Sequence, residues 1–133
     1  MEVTTQLSVF LENRAGVLAR LADDLARHKV SIRALTVANL VDHAVVRLVV
    51  SDPQRALHLL GERGVLAFAS DVLAVDVPEG SRAVADLARR LARAGINIDY
   101  AYGSGSALYI HVSDLRKARG ALASQRRRRR RPR

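Results

Sequence analysis

"VVSDPQRA" (Val49–Ala56) and "HVSDLRKA" (His111–Ala118) are two versions of one phrase. In each, an apolar run rich in β-branched residues stops at Ser-Asp and a helical pattern begins. An Asp at such a boundary is a helix N-cap, because its carboxylate accepts from first-turn amides that have no partner inside the helix. In the first version Pro53 follows at the first helical position, where its missing N–H is no loss and its φ is already helical. The two phrases are 62 residues apart. Upstream of them the spacing becomes 66: Leu7, Val9, Leu11, Leu21, Leu25, Val30 and Ile32 fall on Leu73, Val75, Val77, Leu87, Leu91, Ile96 and Ile98. Alternating strands would align by chance; two helices and a shared cap would rarely join them. The chain is an internal repeat, which implies duplicated domains.

The first copy reads outward from its phrase. Thr5 to Glu12 alternates, with Leu7, Val9 and Leu11 on one side, as a half-buried strand does. Residues 15–28 place Val17, Leu18, Leu21, Ala22 and Leu25 on one helical face and Arg20, Asp23, Asp24 and Arg27 on the other. Ser31 to Leu40 and His43 to Val50 form a hairpin around a break at Val41-Asp42. Ala56, Leu57, Leu59 and Leu60 line the second helix, which Gly61 or Gly64 ends, and Val65 to Ala69 is a strand. The order β-α-β-β-α-β is the ferredoxin-like arrangement. The expected fold class is α+β: two such repeats, antiparallel sheets with helices on one face.

The second copy repeats this order from Asp71, but after Leu122 the sequence turns to Ala-Ser-Gln and arginines, which cannot line a buried sheet. It is therefore expected to lack a clear final strand. Only Ser70-Asp71 separates Val65–Ala69 from Val72–Val77. A tight hairpin there would let the first copy's last strand border the second copy's first. The alternatives are one long strand bridging two sheets, or exchange of strands between chains. The expected domains are residues 1–70, residues 71–124, and an Arg-rich disordered tail at 125–133.

Composition narrows the classes. Apolar residues make up 49% of 133, enough for a core, and with aromatics at 4% that core must be aliphatic. There is no cysteine, hence no disulfide and no thiol chemistry. Seven of the nine net positive charges come from Arg126–Arg131 and Arg133, which leaves +2 for the rest. The opening MEVTTQLSVF lacks the basic start and apolar stretch of a signal peptide, and no run is long enough for a membrane span. A cytoplasmic protein is expected.

The first strand does not turn tightly into its helix. It passes through "ENRAGVL" (Glu12–Leu18). Helix-start amides lack internal partners, and the helix dipole there favours negative charge, so a carboxylate finds donors already aimed at it. Gly16 leaves the backbone approachable. Asn13 offers both a donor and an acceptor, suited to a zwitterion. The plainer reading is that Asn13 caps the helix and Gly16 eases packing.

Glu-Asn-Arg-Ala-Gly-Val-Leu running into an amphipathic helix resembles the ACT domain, a small regulatory module that binds amino acids; Ala15 stands where that family usually has proline. "ARHKVSIRALTVAN", "VVRLVVSDPQRAL", "DVLAVDVP", "LARAGINIDYAY" and "VSDLRKA" extend the resemblance to tandem ACT proteins over roughly residues 6–122. Ala44 departs from a common hairpin glycine. Glu79-Gly80-Ser81-Arg82 replaces the first copy's loop, which puts a second ligand loop in doubt. The resemblance implies an amino-acid site at Asn13, Arg14, Ala15, Gly16, Val17 and Leu18. It would be completed by the start of the second strand of a neighbouring copy, Ser31 with Ile32, or Asn97 in the second repeat. Val45, Val49 and Phe10 give the first sheet an apolar second face, so a homodimer is expected, either by packing against another sheet or by the edge pairing between second strands that the resemblance implies.

Other residues carry less. His28, His43, His58 and His111 have no metal-ligand spacing, so neither a metal nor a cofactor is expected. "GSGS" (Gly103–Ser106) is a turn, since no helix follows it. No nucleophile–base pair is evident, so an enzyme is not expected. Tyr100, Tyr102 and Tyr109 would stack on bases in sheet-type RNA binders, but the basic motif of those modules is missing. Arg126–Arg133 would be a solvated end, a salt-dependent contact to nucleic acid, or an attachment to an anionic surface. The expected function is a non-catalytic regulatory protein that binds an amino acid at an interface between repeats. The alternatives are a nucleic-acid-associated protein acting through its tail and a regulatory subunit of an amino-acid biosynthetic enzyme.

Overall fold

The computed structural model describes residues 1–130, with side chains through Ala123. The expected Arg-rich tail falls on residues whose side chains, or whole placement, lie outside that description. The elements are β1 (Glu2–Glu12), α1 (Val17–Arg27), β2 (Ile32–Asn39), β3 (His43–Val50), α2 (Pro53–Glu62), β4 (Ala67–Asp76), α3 (Ala83–Arg93), β5 (Ile98–Ser104), β6 (Ala107–Val112) and α4 (Leu115–Arg130). The fold is α+β. The chain divides into two compact units, Thr4–Asp71, and Val72 onward together with Met1–Val3.

In the first unit the strand order is β2-β3-β1-β4. β1 pairs antiparallel with β3, Leu7 opposite Leu48 and Val9 opposite Val46. Alternation along β1 sends Leu7, Val9 and Leu11 to one side, where Leu21 and Leu25 of α1 and Ala56, Leu59 and Leu60 of α2 complete the core. Leu7, Val9, Leu25 and Leu48 are fully buried. Truncating such a leucine to alanine costs about 2–5 kcal/mol. Asp52 caps α2 as expected, accepting from the Arg55 amide at 3.1 Å.

The second unit follows the same plan with strand order β4-β6-β5. Leu73 lies opposite Ile110, and Leu87, Leu91, Ile96, Val112, Ala118 and Leu122 close the core. The repeat holds at the level of single hydrogen bonds. Asp114 accepts from the Lys117 amide at 3.0 Å, as Asp52 does from Arg55. Val30 N–H donates to the Leu25 carbonyl and Ile96 N–H to Leu91, both at 2.9 Å. Ser51 and Ser113 hydroxyls accept from Ser31 and Asn97 amides. Both second strands slip register one residue after their start, between Ile32 and Ala34 and between Ile98 and Tyr100. Gly105, in the left-handed region, turns β5 into β6, in line with the "GSGS" reading.

Two expectations change. The tight hairpin between Val65–Ala69 and Val72–Val77 does not form: Ala67–Asp76 is one strand. Ser-Asp carries neither glycine nor asparagine to supply the positive φ of a short hairpin turn, so the chain stays extended, and the Ser70 hydroxyl accepts from Gln6 at 3.3 Å. The expectation that the second repeat lacks a final strand also fails to describe it. That unit holds β5, β6 and the second half of β4, and Met1–Val3, where β1 starts, groups with it.

Candidate functional site

The expected loop begins as β1 ends at Glu12. Glu12 and Arg14 form an exposed ion pair at 2.8 Å, and Arg14 N–H donates to the Glu12 carbonyl. Gly16 precedes α1 at φ +88°, a left-handed conformation in which a side chain is strained. No side chain caps the helix. The Arg20 amide reaches the Gly16 carbonyl at 3.1 Å and the Val17 amide makes only a long contact, 3.4 Å, to Arg14. Among the described residues, the amides of Leu18 and Ala19 find no acceptor. They are the helix-start donors that a ligand carboxylate would use.

Asn13 has its side-chain nitrogen engaged within the protein. Its amide nitrogen donates to the Asn39 side-chain oxygen and to the Val41 carbonyl, both at 2.9 Å. The same Asn39 oxygen accepts from the Val41 amide at 2.8 Å. Asn13 thus ties the loop to the β2–β3 turn, where Val41 sits at φ +72°, and its carbonyl is the group left to face an ammonium. Asn39 was not singled out from sequence: its turn to Val41 is local, but its bond to Asn13 spans 26 residues.

The structure brings Asn13, Arg14, Ala15, Gly16, Val17 and Leu18 together, but not Ser31 and Ile32. Glu12 pairs with His43 at one end of β3, whereas Ile32 pairs with Val50 at the other. At about 3.3 Å per residue those ends are roughly 20 Å apart. Ser31 is exposed and clasps Ser51, and Ile32 packs against the first core.

In the second unit the equivalent positions are committed to the protein itself. The Ser81 hydroxyl donates to the Pro78 carbonyl at 2.6 Å and accepts from the Ala83 amide at 3.2 Å. Arg82, not a glycine, precedes α3. Asn97 donates to Asp99 at 3.0 Å, and Asp99 also bonds His111 Nδ1 at 2.9 Å. Hydrogen bonds from Asn97 first, then His111, hold the Asp99 carboxyl below its usual range. The Tyr100 ring stacks on His111, 4.9 Å between centroids, and Tyr102 stacks on Tyr109, so these tyrosines pack along the β5–β6 pair. Among the described residues no three His, Asp or Glu side chains gather as a metal site, and no helix is long and apolar enough to cross a membrane.

Sequence reasoning also missed Asp24, read as part of a solvated helix face. Its carboxylate takes a hydrogen bond from Arg63 Nε at 3.1 Å, across 39 residues of chain. That bond holds the Asp24 carboxyl below its usual range.

The chain is similar to solved structures. Protein BT0572 from Bacteroides thetaiotaomicron is 28% identical, with a TM-score of 0.85 over 93% of this chain and 89% of that one. The ligand-free regulatory subunit of aspartate kinase from Thermus thermophilus is 17% identical, with a TM-score of 0.68 over 96% and 97%. The corresponding subunit from Thermus flavus is 16% identical, with a TM-score of 0.63 over 93% and 94%. These last two share the fold. No curated protein matches the chain. The family model for an ACT domain pair matches residues 1–118. With two βαβ-built units carrying matched caps and clasps, and that model covering nearly its whole length, the chain belongs to the ACT domain pair family.

Proposed function

We propose that this protein is a regulatory, non-catalytic amino-acid sensor whose ligand docks at the β1–α1 loop of a homodimer. The observation that carries the reading is the pair of unmet amides at Leu18 and Ala19 behind the left-handed Gly16. A ligand carboxylate would meet those donors, and its ammonium the Asn13 carbonyl. Arg14, Ala15 and Val17 would form the remaining wall of the loop.

The distance between the loop and Ser31 supports a dimer. β2 is the outermost strand of the first unit, with Leu35 and Val37 exposed along it. Antiparallel pairing of β2 with its two-fold mate sets the start of one strand beside the end of the other. The partner's Ser31 and Ile32 would then reach the level of Asn39, which Asn13 already holds. The site is complete only across that interface, so ligand binding would favour one dimer geometry over another.

A thermal-shift screen of the twenty amino acids against the full chain tests the reading. One of them should raise the melting temperature of the wild type and not of Asn13→Ala, with light scattering reporting a dimer. A monomer at micromolar concentration, or no shift with any amino acid at millimolar levels, would contradict it.

A further inference from the structure

A cavity lies within the first unit, between the two helices. It holds about 210 Å³ and is lined by Leu11, Val17, Arg20, Leu21, Asp24, Leu60, Arg63 and Val65. Val17, Arg20, Leu21 and Asp24 follow the three-and-four spacing of one helical stripe. Leu60 closes α2 from the other side, Leu11 comes from the end of β1, and Val65 from the approach to β4. The floor is apolar: Leu11, Leu21 and Leu60 are buried, and Val17 and Val65 pack against the same core.

The rim is charged and uneven. Arg63 binds Asp24 through Nε at 3.1 Å, and a guanidinium has donors on two further nitrogens. Asp24 stays ionised in this pairing and offsets one positive charge. Arg20, exposed at the same rim, has no ion-pair partner among the described residues. Two guanidiniums against one carboxylate leave a net single positive charge above an aliphatic floor. A neutral ligand would leave that charge unused. A dianion would exceed it and meet Asp24. The volume equals the share of about seven water molecules at ~30 Å³ each, room for a small branched chain and one acid group.

We infer that the cavity between α1 and α2 is a second ligand site, for a small aliphatic monocarboxylate lacking an ammonium group. The carboxylate sits between Arg20 and Arg63, and the alkyl body lies on Leu11, Leu21, Leu60 and Val65. This site is separate from the β1–α1 loop, with Val17 the one residue common to both.

Isothermal titration of the full chain with isocaproate tests it, against isocaproamide, which has the same body without charge, and leucine, which adds the ammonium. Saturable binding of isocaproate is expected, with the amide roughly tenfold weaker, the scale of one lost charge-assisted hydrogen bond. Arg20→Gln, a surface change that leaves the core intact, should bring isocaproate down to the level of the amide. Val65→Met should fill the cavity and abolish binding. Asn13→Ala should leave isocaproate binding unchanged while removing amino-acid binding at the loop. Equal affinity for isocaproate and its amide, no effect of Arg20→Gln, or no saturable binding would overturn the inference and leave the loop reading standing. Loss of isocaproate binding in Asn13→Ala would move that ligand to the loop and end the claim of a second site.

Discussion

Gly16 and Arg82 occupy equivalent positions, 66 residues apart, each immediately before a helix. Gly16 is left-handed at φ +88°; Arg82 is at φ −91°. Around Gly16 no side chain takes the helix-start amides, whereas Ser81 supplies a hydroxyl to the Ala83 amide. At the start of the second strand, Ser31 keeps its side chain out of local bonds between described residues, whereas Asn97 is tied to Asp99. The duplicated scaffold is kept where it builds the core and has diverged at the loops before α1 and α3 and at the starts of β2 and β5. The first loop leaves its helix-start amides uncapped by side chains, and the second is closed on itself.

Substitutions can break that comparison or sharpen it. The largest effects should be the shared ones. Leu25 and Leu91 are both fully buried at equivalent positions, so Leu25→Ala and Leu91→Ala should each cost about 2–5 kcal/mol in urea unfolding. A large loss at one and none at the other would mean the two cores are not equivalent.

The loops should differ more quietly. At Gly16 an added Cβ meets nothing within 4 Å, so the penalty is conformational alone. Gly16→Ala should cost about 1–2 kcal/mol and weaken the amino acid found in the screen. Arg82→Ala, at an ordinary φ, should stay within about 0.5 kcal/mol and leave binding unchanged. Equal effects on binding would erase the distinction between the loops.

The smallest effects are electrostatic. Asp24 and Asp99 each have a folded carboxyl held below the usual range, by Arg63 and by Asn97 with His111. A depressed folded pKa contributes stability above the unfolded value, about 3.9 for aspartate, and loses it as pH falls through the folded value. Asp24 is half-buried and Asp99 exposed, and both pairs lie at the surface where solvent screens them, so each contribution is small. Unfolding followed from pH 6 downward should show a shallower acid loss in Asp24→Asn and Asp99→Asn than in the wild type. A steeper loss in either variant would reverse the sign.

The sequence carried the periodic features well. The Ser-Asp phrase marked both caps, the spacing of leucines and valines marked both cores, and Gly16 marked the open loop, because each is set by residues a few positions apart. What escaped it depends on distant partners. Asn13 braces Asn39, Asp24 binds Arg63, and Asp99 meets His111 only after a register slip in β5. Ser70-Asp71 looked like a break because both residues are polar, yet nothing in them forces a reversal, and β4 runs through. The grouping of Met1–Val3 with the second unit follows from the length of β1, which alternation alone does not bound.

The central claim is that an amino acid docks on the unmet amides behind Gly16, beside a partner's second strand. Backbone amide NMR of the full-length protein, titrated with the amino acid that stabilises it, tests this most directly. The expected result is saturable shifts at Leu18 and Ala19 that move together with Ser31, while Ala83 and Asn97 stay still. Shifts centred on Ala83 and Asn97, with Leu18 and Ala19 unmoved, would contradict it.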